Sequence, residues 1–465
     1  MPAEAVPDAL WPRLTELIAE KTGLHFPPER RTDLQRGLTD AAAELGFADS
    51  ASYADWLLST PLTAPHLQSL ASHLTIGETY FFRERKTFDA LAERILPELI
   101  ARRRGREQRL RLWSAACSSG EEPYSLAILL HELLPDWKDW RVTILATDIN
   151  KRFLQKAAAG VYGEWSFRDS PPAFRERYFT PASERRCAVV PEIRERVSFA
   201  QLNLAEDRFP SLATDTNAMD VILCRNLLIY FAPQQARQLV AKLRHSLLDD
   251  GWLAVSPSEC SQALFQGFTS VSFPGAILYR KGDAHVPPPS TTASEPTRVP
   301  PPAPFTAAES AYEQGRYADA SETLLSVLAE TSQDSAPQEY SLLTRSLANE
   351  GKLPDALAWS ERWIAADKLD AAAHYLNAMV LRELGKPDEA QRSLQRAIYL
   401  QPEFALAHVA LGNLAPDAQA NRHFENALRI LRARPPQEAV PESDGLTAVR
   451  LTEMVTALLA GKDRR

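Results

Sequence analysis

Cysteine is scarce in this sequence, which has four widely spaced cysteines and no Cys-x-x-Cys pair. That spacing argues against a zinc site and against a disulfide framework, and it favours a reducing, cytoplasmic compartment. Long apolar runs are also missing, and no basic region precedes an apolar one near Met1. We therefore expect a soluble protein without a bound metal or membrane insertion.

Basic residues are fewer than acidic ones: the chain has 52 lysines and arginines and 60 aspartates and glutamates, which gives a net charge of -8. This balance argues against broad nucleic-acid binding. The stretch from Arg83 to Arg111 is locally basic and could face either an acidic partner or only water. The length of 465 residues predicts two or three domains.

The most informative stretch runs from Arg109 to Leu130, R-L-R-L-W-S-A-A-C-S-S-G-E-E-P-Y-S-L-A-I-L-L. Its first residues predict a buried strand, Ser-Ser-Gly predicts a tight turn, and a helix should follow with Pro123 at its first position and Pro135 just beyond its end. In α/β sheets, such a junction lies at the carboxyl end of a strand. There, free backbone N–H groups hold a small polar molecule.

A second apolar strand, Arg141 to Thr147, is predicted to stop at Asp148. An acidic residue at this place suits the hydroxyls of a ribose. The alternative is that Asp148 only caps the following helix, predicted from Asn150 to Ala159. The pattern by itself leaves both open.

Helical periodicity dominates the two ends of the chain. Residues 1–75 should form an N-terminal helical subdomain, with helices from Leu10 to Thr22, Arg30 to Leu45, Ser52 to Leu58 and Ala64 to Leu74. The segment 283–304 is proline-rich and should be a linker. Beyond it, glycines and alanines recur 34 residues apart, which predicts tetratricopeptide (TPR)-like repeats over 305–434 and a capping helix over 443–465.

Four motifs then define the middle of the chain. They are I-G-E-T-Y-F-F-R-E at 76–84, S-A-A-C-S-S-G-E-E-P-Y-S at 114–125, A-T-D-I-N at 146–150 and I-L-C-R-N-L-L-I-Y-F at 222–231. In the first, aromatic residues precede Arg83, an arrangement that suits the binding of a carboxylate in a dry pocket, although a helix start with core aromatics is the plainer interpretation. Together, the four motifs closely resemble the chemotaxis-receptor glutamate methyltransferases of the CheR type.

The resemblance implies an α/β fold: a Rossmann-like class I methyltransferase sheet over 76–282, with a small antiparallel β-insertion at about 163–197. The N-terminal helical subdomain precedes this sheet, and an all-α TPR solenoid follows it. In relatives that bind a peptide tether, the insertion carries a glycine turn. Residues 180–190 contain no glycine, so that capability is in doubt.

The resemblance also assigns roles to individual residues, with S-adenosylmethionine as the cofactor. The methionine part of the cofactor would lie near Glu121 and Glu122, of which we favour Glu122, whose alternative role is that of a helix-dipole partner. Tyr230 would orient the substrate carboxylate and is otherwise an ordinary helix aromatic. The remaining assignments are Thr79 and Arg83 where cofactor and target glutamate meet, Asp148 at the ribose, Asn203 and Leu204 on the adenine side, and Arg225 and Asn226 at the same sheet edge.

One position departs from the family pattern. Gly77 stands where the family usually has asparagine, two residues before Thr79. The loss of a side-chain contact predicts weaker cofactor binding, although backbone or water could fill the role.

The implied reaction is methyl transfer to glutamate side chains on the cytoplasmic helices of a methyl-accepting chemoreceptor protein. The repeats would bind a further protein partner. The competing interpretation is a non-catalytic adaptor that binds S-adenosylmethionine and assembles signalling partners through its repeats. Gly77 is the one sequence feature that favours the adaptor.

Overall fold

The computed structural model describes residues 5–170, 172–183, 185–282, 304–330 and 337–462. The chain forms two compact units. The first comprises Met1–Asp207, Met219–Leu243 and Gly251–Arg280, and the second comprises Arg208–Ala218, Arg244–Asp250 and Lys281–Arg465. None of the described helices is long and apolar enough to cross a membrane.

The N-terminal helices agree with the periodicity to within two residues at each end. Leu14, Ile18, Leu34 and Leu38 are fully buried and form their common core. A Cβ atom at Gly37 would lie 2.5 Å from Leu74 Cδ2, so the second and fourth helices approach closely. The bounds are α1 Trp11–Thr22, α2 Arg31–Leu45, α3 Ser50–Ser59 and α4 Ala64–Leu74.

A seven-stranded, mostly parallel sheet follows, in the order β6-β2-β1-β7-β8-β10-β9. Strand β1 lies in the middle and is buried along its whole length. It pairs in parallel with β2 and β7, and β2 pairs in parallel with β6, so these strands end at one edge of the sheet. The bounds are β1 Arg109–Ala115, β2 Arg141–Asp148, β6 Val197–Gln201, β7 Met219–Leu223, β8 Leu247–Ala254, β9 Phe268–Phe273 and β10 Ala276–Lys281.

The predicted insertion is a three-stranded antiparallel sheet in the order β3-β5-β4. Its strands are β3 Val161–Gly163, β4 Phe179–Ser183 and β5 Arg186–Val189. The predicted α/β fold, with its small antiparallel insertion, is confirmed.

The position of Pro123 is a correction to the sequence prediction. Helix α7 begins at Glu121, so Pro123 is its third residue and not its first. Proline is tolerated there because the first four N–H groups of a helix have no intrahelical acceptor. The other helices packed around the sheet are α5 Arg85–Ala90, α6 Leu96–Arg103, α7 Glu121–Leu133, α8 Lys151–Ala159, α9 Pro172–Tyr178, α10 Pro191–Arg194 and α11 Pro233–Ser246.

The helices of the second unit pack against their neighbours in the sequence. Ala356, Ala390 and Ala397 are fully buried where helices meet, as expected for TPR-like repeats. The predicted linker lies outside the described residues apart from Pro304, which begins the first of these helices. The bounds are α12 Pro304–Glu313, α13 Tyr317–Glu330, α14 Pro337–Asn349, α15 Leu353–Ala366, α16 Ala371–Glu383, α17 Pro387–Leu400, α18 Ala405–Leu414, α19 Asp417–Arg432 and α20 Ala448–Lys462.

The second unit also contains Arg208–Ala218, a segment that the sequence analysis did not assign to the repeats. Leu212 is 3% exposed and belongs to the core cluster of these helices. Asn217 Nδ2 donates to Glu383 Oε1 at 3.0 Å, and Ser211 Oγ donates to Asp444 Oδ2 at 2.7 Å. This segment is therefore an integral part of the helical unit.

Gly37 provides a test of the helix packing. We expect Gly37→Ala to destabilise the protein by about 1–3 kcal/mol, because there is no room for the added methyl group between the two helices. The methyl carbon would clash with the side chain of Leu74 and lie 2.9 Å from the carbonyl oxygen of His73. Thr32→Ala, at an exposed position of the same helix, is the control and should change stability by about 0.5 kcal/mol or less. Thermal unfolding measures both variants, and a stabilised Gly37→Ala protein would contradict the close packing.

Candidate functional site

A cleft lies in the first unit, at the carboxyl ends of the parallel strands. Clefts at this edge of an α/β sheet are common binding sites for small polar molecules. Its lining residues are Thr22, Leu24, Arg30, Leu74, Thr75, Ile76, Ala116, Ser118, Asp148, Ile149, Phe153, Leu202, Asn203, Leu204, Arg225, Asn226, Leu227, Tyr230 and Phe231.

The turn after β1 has an unusual backbone at the cleft. Ala116 and Ser118 have φ angles of 65° and 49°, in the left-handed region, and Gly120 has 94°. A Cβ atom at Gly120 would also lie 2.7 Å from Ala157 Cβ, so glycine is required there for space as well as for conformation. Such strained non-glycine residues persist only where the surrounding structure holds them, which is common at binding sites.

Asp148 ends β2 and lies in the cleft wall. Its carboxylate accepts the N–H groups of Ser118 and Asn150, each at 2.8 Å. Burial raises the pKa of Asp148 to about 6, against the opposing effect of these two hydrogen bonds. The N-cap of α8 is Asn150, whose side chain accepts the N–H of Arg152 at 2.9 Å. The capping role considered for Asp148 therefore belongs to Asn150.

Arg225 connects three of the four motifs. Its guanidinium donates from Nη1 to Glu122 Oε2 and from Nη2 to Glu84 Oε2, each at 3.0 Å, and also to the carbonyl oxygen of Arg83. The arginine side chain is 2% exposed. Ser114 Oγ donates to the other oxygen of Glu122 at 2.7 Å. Burial raises the pKa of Glu122, and Arg225 opposes that change.

The two adjacent glutamates occupy different surroundings. Glu121 is 1% exposed, and its carboxylate accepts from the hydroxyls of Ser119 and Ser166, each at 2.8 Å. Burial is the largest cause that raises its pKa. Neither glutamate lines the cleft. Glu122, however, contacts Arg225, and Arg225 does line the cleft. This arrangement favours Glu122 over Glu121 as the functional member of the pair.

Thr79 and Arg83 are half-buried and lie outside the cleft lining. The guanidinium of Arg83 donates to the carbonyl oxygen of Glu78 and lies 6.0 Å from the Tyr80 ring centroid. Phe81 and Phe82 are buried in an aromatic cluster, as the plainer interpretation of this motif predicts, but Tyr80 is half-buried and the helix begins only at Arg85. The structure thus brings the backbone of Arg83 to Arg225, while its side chain lies beside Tyr80.

The remaining predicted residues all line the cleft. Asn203 Nδ2 donates to the carbonyl oxygen of Lys21 at 2.7 Å, and Leu204 is buried beside it. Asn226 Nδ2 donates to Glu84 Oε1 at 3.2 Å. Tyr230 ends a 3-10 turn, so it is not an amphipathic α-helix aromatic, and its ring lies 5.0 Å from the guanidinium of Arg30.

Sequence reasoning missed Glu259, which organises the loop that carries Arg225 and Asn226. Its carboxylate accepts the N–H of Asn226 at 2.9 Å and that of Leu228 at 2.7 Å. It also accepts the N–H of Ser256 at 2.8 Å in a capping box. The spacing Ser256-x-x-Glu259 is a capping signal that could have identified the local turn, although not its contact with the loop.

Comparison with known proteins identifies the family. Residues 77–274 match the model described as "CheR methyltransferase, SAM binding domain". Chemotaxis protein methyltransferase 2 of Vibrio cholerae is 32% identical over 269 residues, which cover 58% of this chain and 91% of that relative. The chain belongs to the CheR methyltransferase family.

Two further relatives differ in how much of the chain they match. The chemotaxis protein methyltransferase of Escherichia coli is 32% identical over 272 residues and covers 57% of this chain and 89% of its own length. The probable biofilm formation methyltransferase WspC of Pseudomonas aeruginosa is 29% identical over 437 residues and covers 90% of this chain and 98% of its own. The CheR-type match thus extends, in one relative, through the helical repeats.

Family membership makes S-adenosylmethionine the cofactor, and the cleft fits it. Ser118 Oγ and Arg225 Nε are buried at the cleft and have no hydrogen-bond partner among the described residues. Such atoms call for a polar ligand, because an unpaired buried polar group is costly. Asp148 adds an acceptor, while Ile149 and Leu202 add apolar surface. This combination suits a nucleoside with a charged amino-acid tail.

The raised pKa of Asp148 gives a pH test. A carboxyl with a pKa of about 6 is ionised at neutral pH and becomes protonated as the pH falls. If ionised Asp148 accepts from ribose hydroxyls, the affinity for S-adenosylhomocysteine should fall about tenfold between about pH 7.5 and about pH 5. Calorimetric titration measures this change.

Asp148→Asn is the matched variant, because it keeps the shape and one acceptor oxygen. It should bind more weakly at pH 7.5 and lose most of the pH dependence. An unchanged dissociation constant would remove Asp148 from the cofactor site.

Proposed function

We propose that this protein transfers the methyl group of S-adenosylmethionine to glutamate side chains of a methyl-accepting chemoreceptor, giving glutamyl methyl esters. The observation that supports the proposal is the contact between Arg225, which lines the cleft, and the Arg83 backbone and Glu84 side chain, because it brings the first motif close to the cofactor cleft. The printed names of relatives, chemotaxis protein methyltransferases, support the substrate class.

The chemistry needs no general base from the protein. A glutamate carboxylate is already ionised at neutral pH and can itself attack a methyl group. S-adenosylmethionine supplies that methyl group as a sulfonium, a good leaving group. The protein's contribution is then to hold the carboxylate in line, with Arg83 binding it and Tyr230 orienting it, and to exclude water.

The signal would be the loss of a negative charge on the receptor. Removing like charges from neighbouring helices weakens their repulsion and shifts the receptor's conformational equilibrium. The second, helical unit would bind a further protein partner, since TPR-like arrays commonly serve this purpose. The relative that matches along 90% of the chain is named for biofilm formation, which supports a role in a pathway that controls biofilm formation.

Arg83 is the residue that tests catalysis apart from cofactor binding. Arg83→Ala should reduce methyl transfer by about a thousandfold or more while the dissociation constant for S-adenosylhomocysteine changes little, because its side chain lies outside the cleft lining. Arg83→Lys should rescue poorly, since an ammonium group cannot make a two-point contact with a carboxylate. The assay is labelled-methyl transfer to purified receptor cytoplasmic fragments, with base release of the label as methanol.

Arg85→Ala is the matched control. Arg85 lies two residues away and pairs on the surface with Asp89 at 3.4 Å, so its loss should leave the rate unchanged. Full activity of Arg83→Lys would contradict the proposed role of Arg83. Cofactor binding by the unmodified protein without transfer to any receptor fragment would instead support the adaptor.

A further inference from the structure

The glycine that departs from the family pattern lies against a neighbouring aromatic ring. A Cβ atom at Gly77 would lie 2.4 Å from Cζ and 2.7 Å from Cε1 of Phe153, much closer than atoms pack. Gly77 is not among the glycines with positive φ, so a left-handed backbone is not the reason for glycine there. The ring of Phe153 occupies the space of a side chain at this position, and any larger residue would have to displace the ring.

The first turn of α8 fixes the position of Phe153. Asn150 caps this helix and donates from Nδ2 to Thr75 Oγ1 at 2.8 Å, which ties the helix start to the segment leading into Gly77. The N–H of Asn150 in turn donates to Asp148. Thr75, Asp148 and Phe153 all line the cleft. The ring therefore belongs to the cofactor cleft and is not only part of the helix core.

We propose that Phe153 is a cofactor-binding residue, whose ring covers the nucleoside part of S-adenosylmethionine and replaces the side chain absent at Gly77. The inference rests on the cofactor cleft described above. Phe153 is half-buried and lines the cleft, as do Ile149, Leu202 and Asp148, so its ring adds to the apolar surface of a cleft that also contains a carboxylate. An aromatic face in such a wall binds a purine and its ribose without a hydrogen bond.

This assignment changes the meaning of Gly77. The absence of a side chain at Gly77 predicts weaker cofactor binding only if no other group fills its place. Here the ring of Phe153 fills it with a larger apolar surface. Gly77 and Phe153 should then act as one unit, and substitutions at the two positions should not be independent. The nucleoside assignment further requires that ligands without the amino-acid tail respond in the same way.

The test is a double-mutant cycle in the full-length protein: Gly77→Ala, Phe153→Ala and the two combined. Calorimetry would give dissociation constants for S-adenosylhomocysteine and for 5′-methylthioadenosine, which keeps the nucleoside and lacks the amino-acid group. Phe153→Ala should weaken the binding of both ligands by about tenfold, near the lower end of the effect of removing an aromatic ring from a stacked base. Gly77→Ala should also weaken binding, because the methyl group displaces the ring.

The decisive comparison is the double variant, which should bind no more weakly than Phe153→Ala alone. Gly163→Ala is the matched control, because a Cβ atom there would have nothing within 4 Å and should leave binding unchanged. Losses that multiply in the double variant, or a Phe153→Ala protein with unchanged affinity, would overturn the proposal. A loss for S-adenosylhomocysteine alone would overturn the nucleoside assignment.

Asp148→Asn separates failure of this inference from failure of the cleft assignment. If Asp148→Asn weakens binding while the Phe153 and Gly77 variants do not, the cleft holds the cofactor and the inference about Phe153 is wrong. If none of these variants changes binding, the cleft assignment itself fails. Thermal unfolding of each variant checks that it is folded.

Discussion

The site depends on one buried guanidinium. Arg225 lies between the carboxylates of Glu122 and Glu84, and its side chain is almost fully enclosed. A buried ion group must keep all its partners, because losing one leaves an uncompensated charge that costs several kcal/mol, about 3–5 in measured cases. The three motifs that supply these residues lie far apart in the sequence. The contacts of Arg225 therefore join segments that the sheet alone does not connect, because Glu84 lies outside the sheet.

The backbone around this guanidinium supports the same conclusion. Phe82, Glu84 and Asn226 have φ angles of 56°, 55° and 56°, although none is glycine. Each such residue carries a conformational cost of about 1–3 kcal/mol and needs compensation. Glu84 contacts both Arg225 and Asn226, and Glu259 accepts the N–H of Asn226. The charged network thus stabilises a local conformation that the chain would not otherwise adopt.

Much of the fold follows from local pattern. The strand β2 and the four N-terminal helices have strong periodicity, and their predicted ends fall within two residues of those observed. The predicted capping helix over 443–465 is shorter in the structure, where α20 runs from Ala448 to Lys462. The place of Asp148 at the end of a parallel strand was predictable from local pattern, whereas Asn203 was assigned through the family resemblance. Local pattern does not report contacts between distant segments. The contacts of Glu259 and the closeness of the Phe153 ring to Gly77 are visible only in the three-dimensional structure.

The second unit shows the same limit on a larger scale. Composition places a boundary at the proline-rich segment, yet Leu212 belongs to the core cluster of the helices that follow it. Asn217 likewise donates to Glu383 of α16. Deleting the chain beyond Lys281 would remove the apolar cover of Leu212 as well as the repeats. The contribution of the repeats to methylation is therefore better measured by surface substitutions in the full-length chain than by truncation.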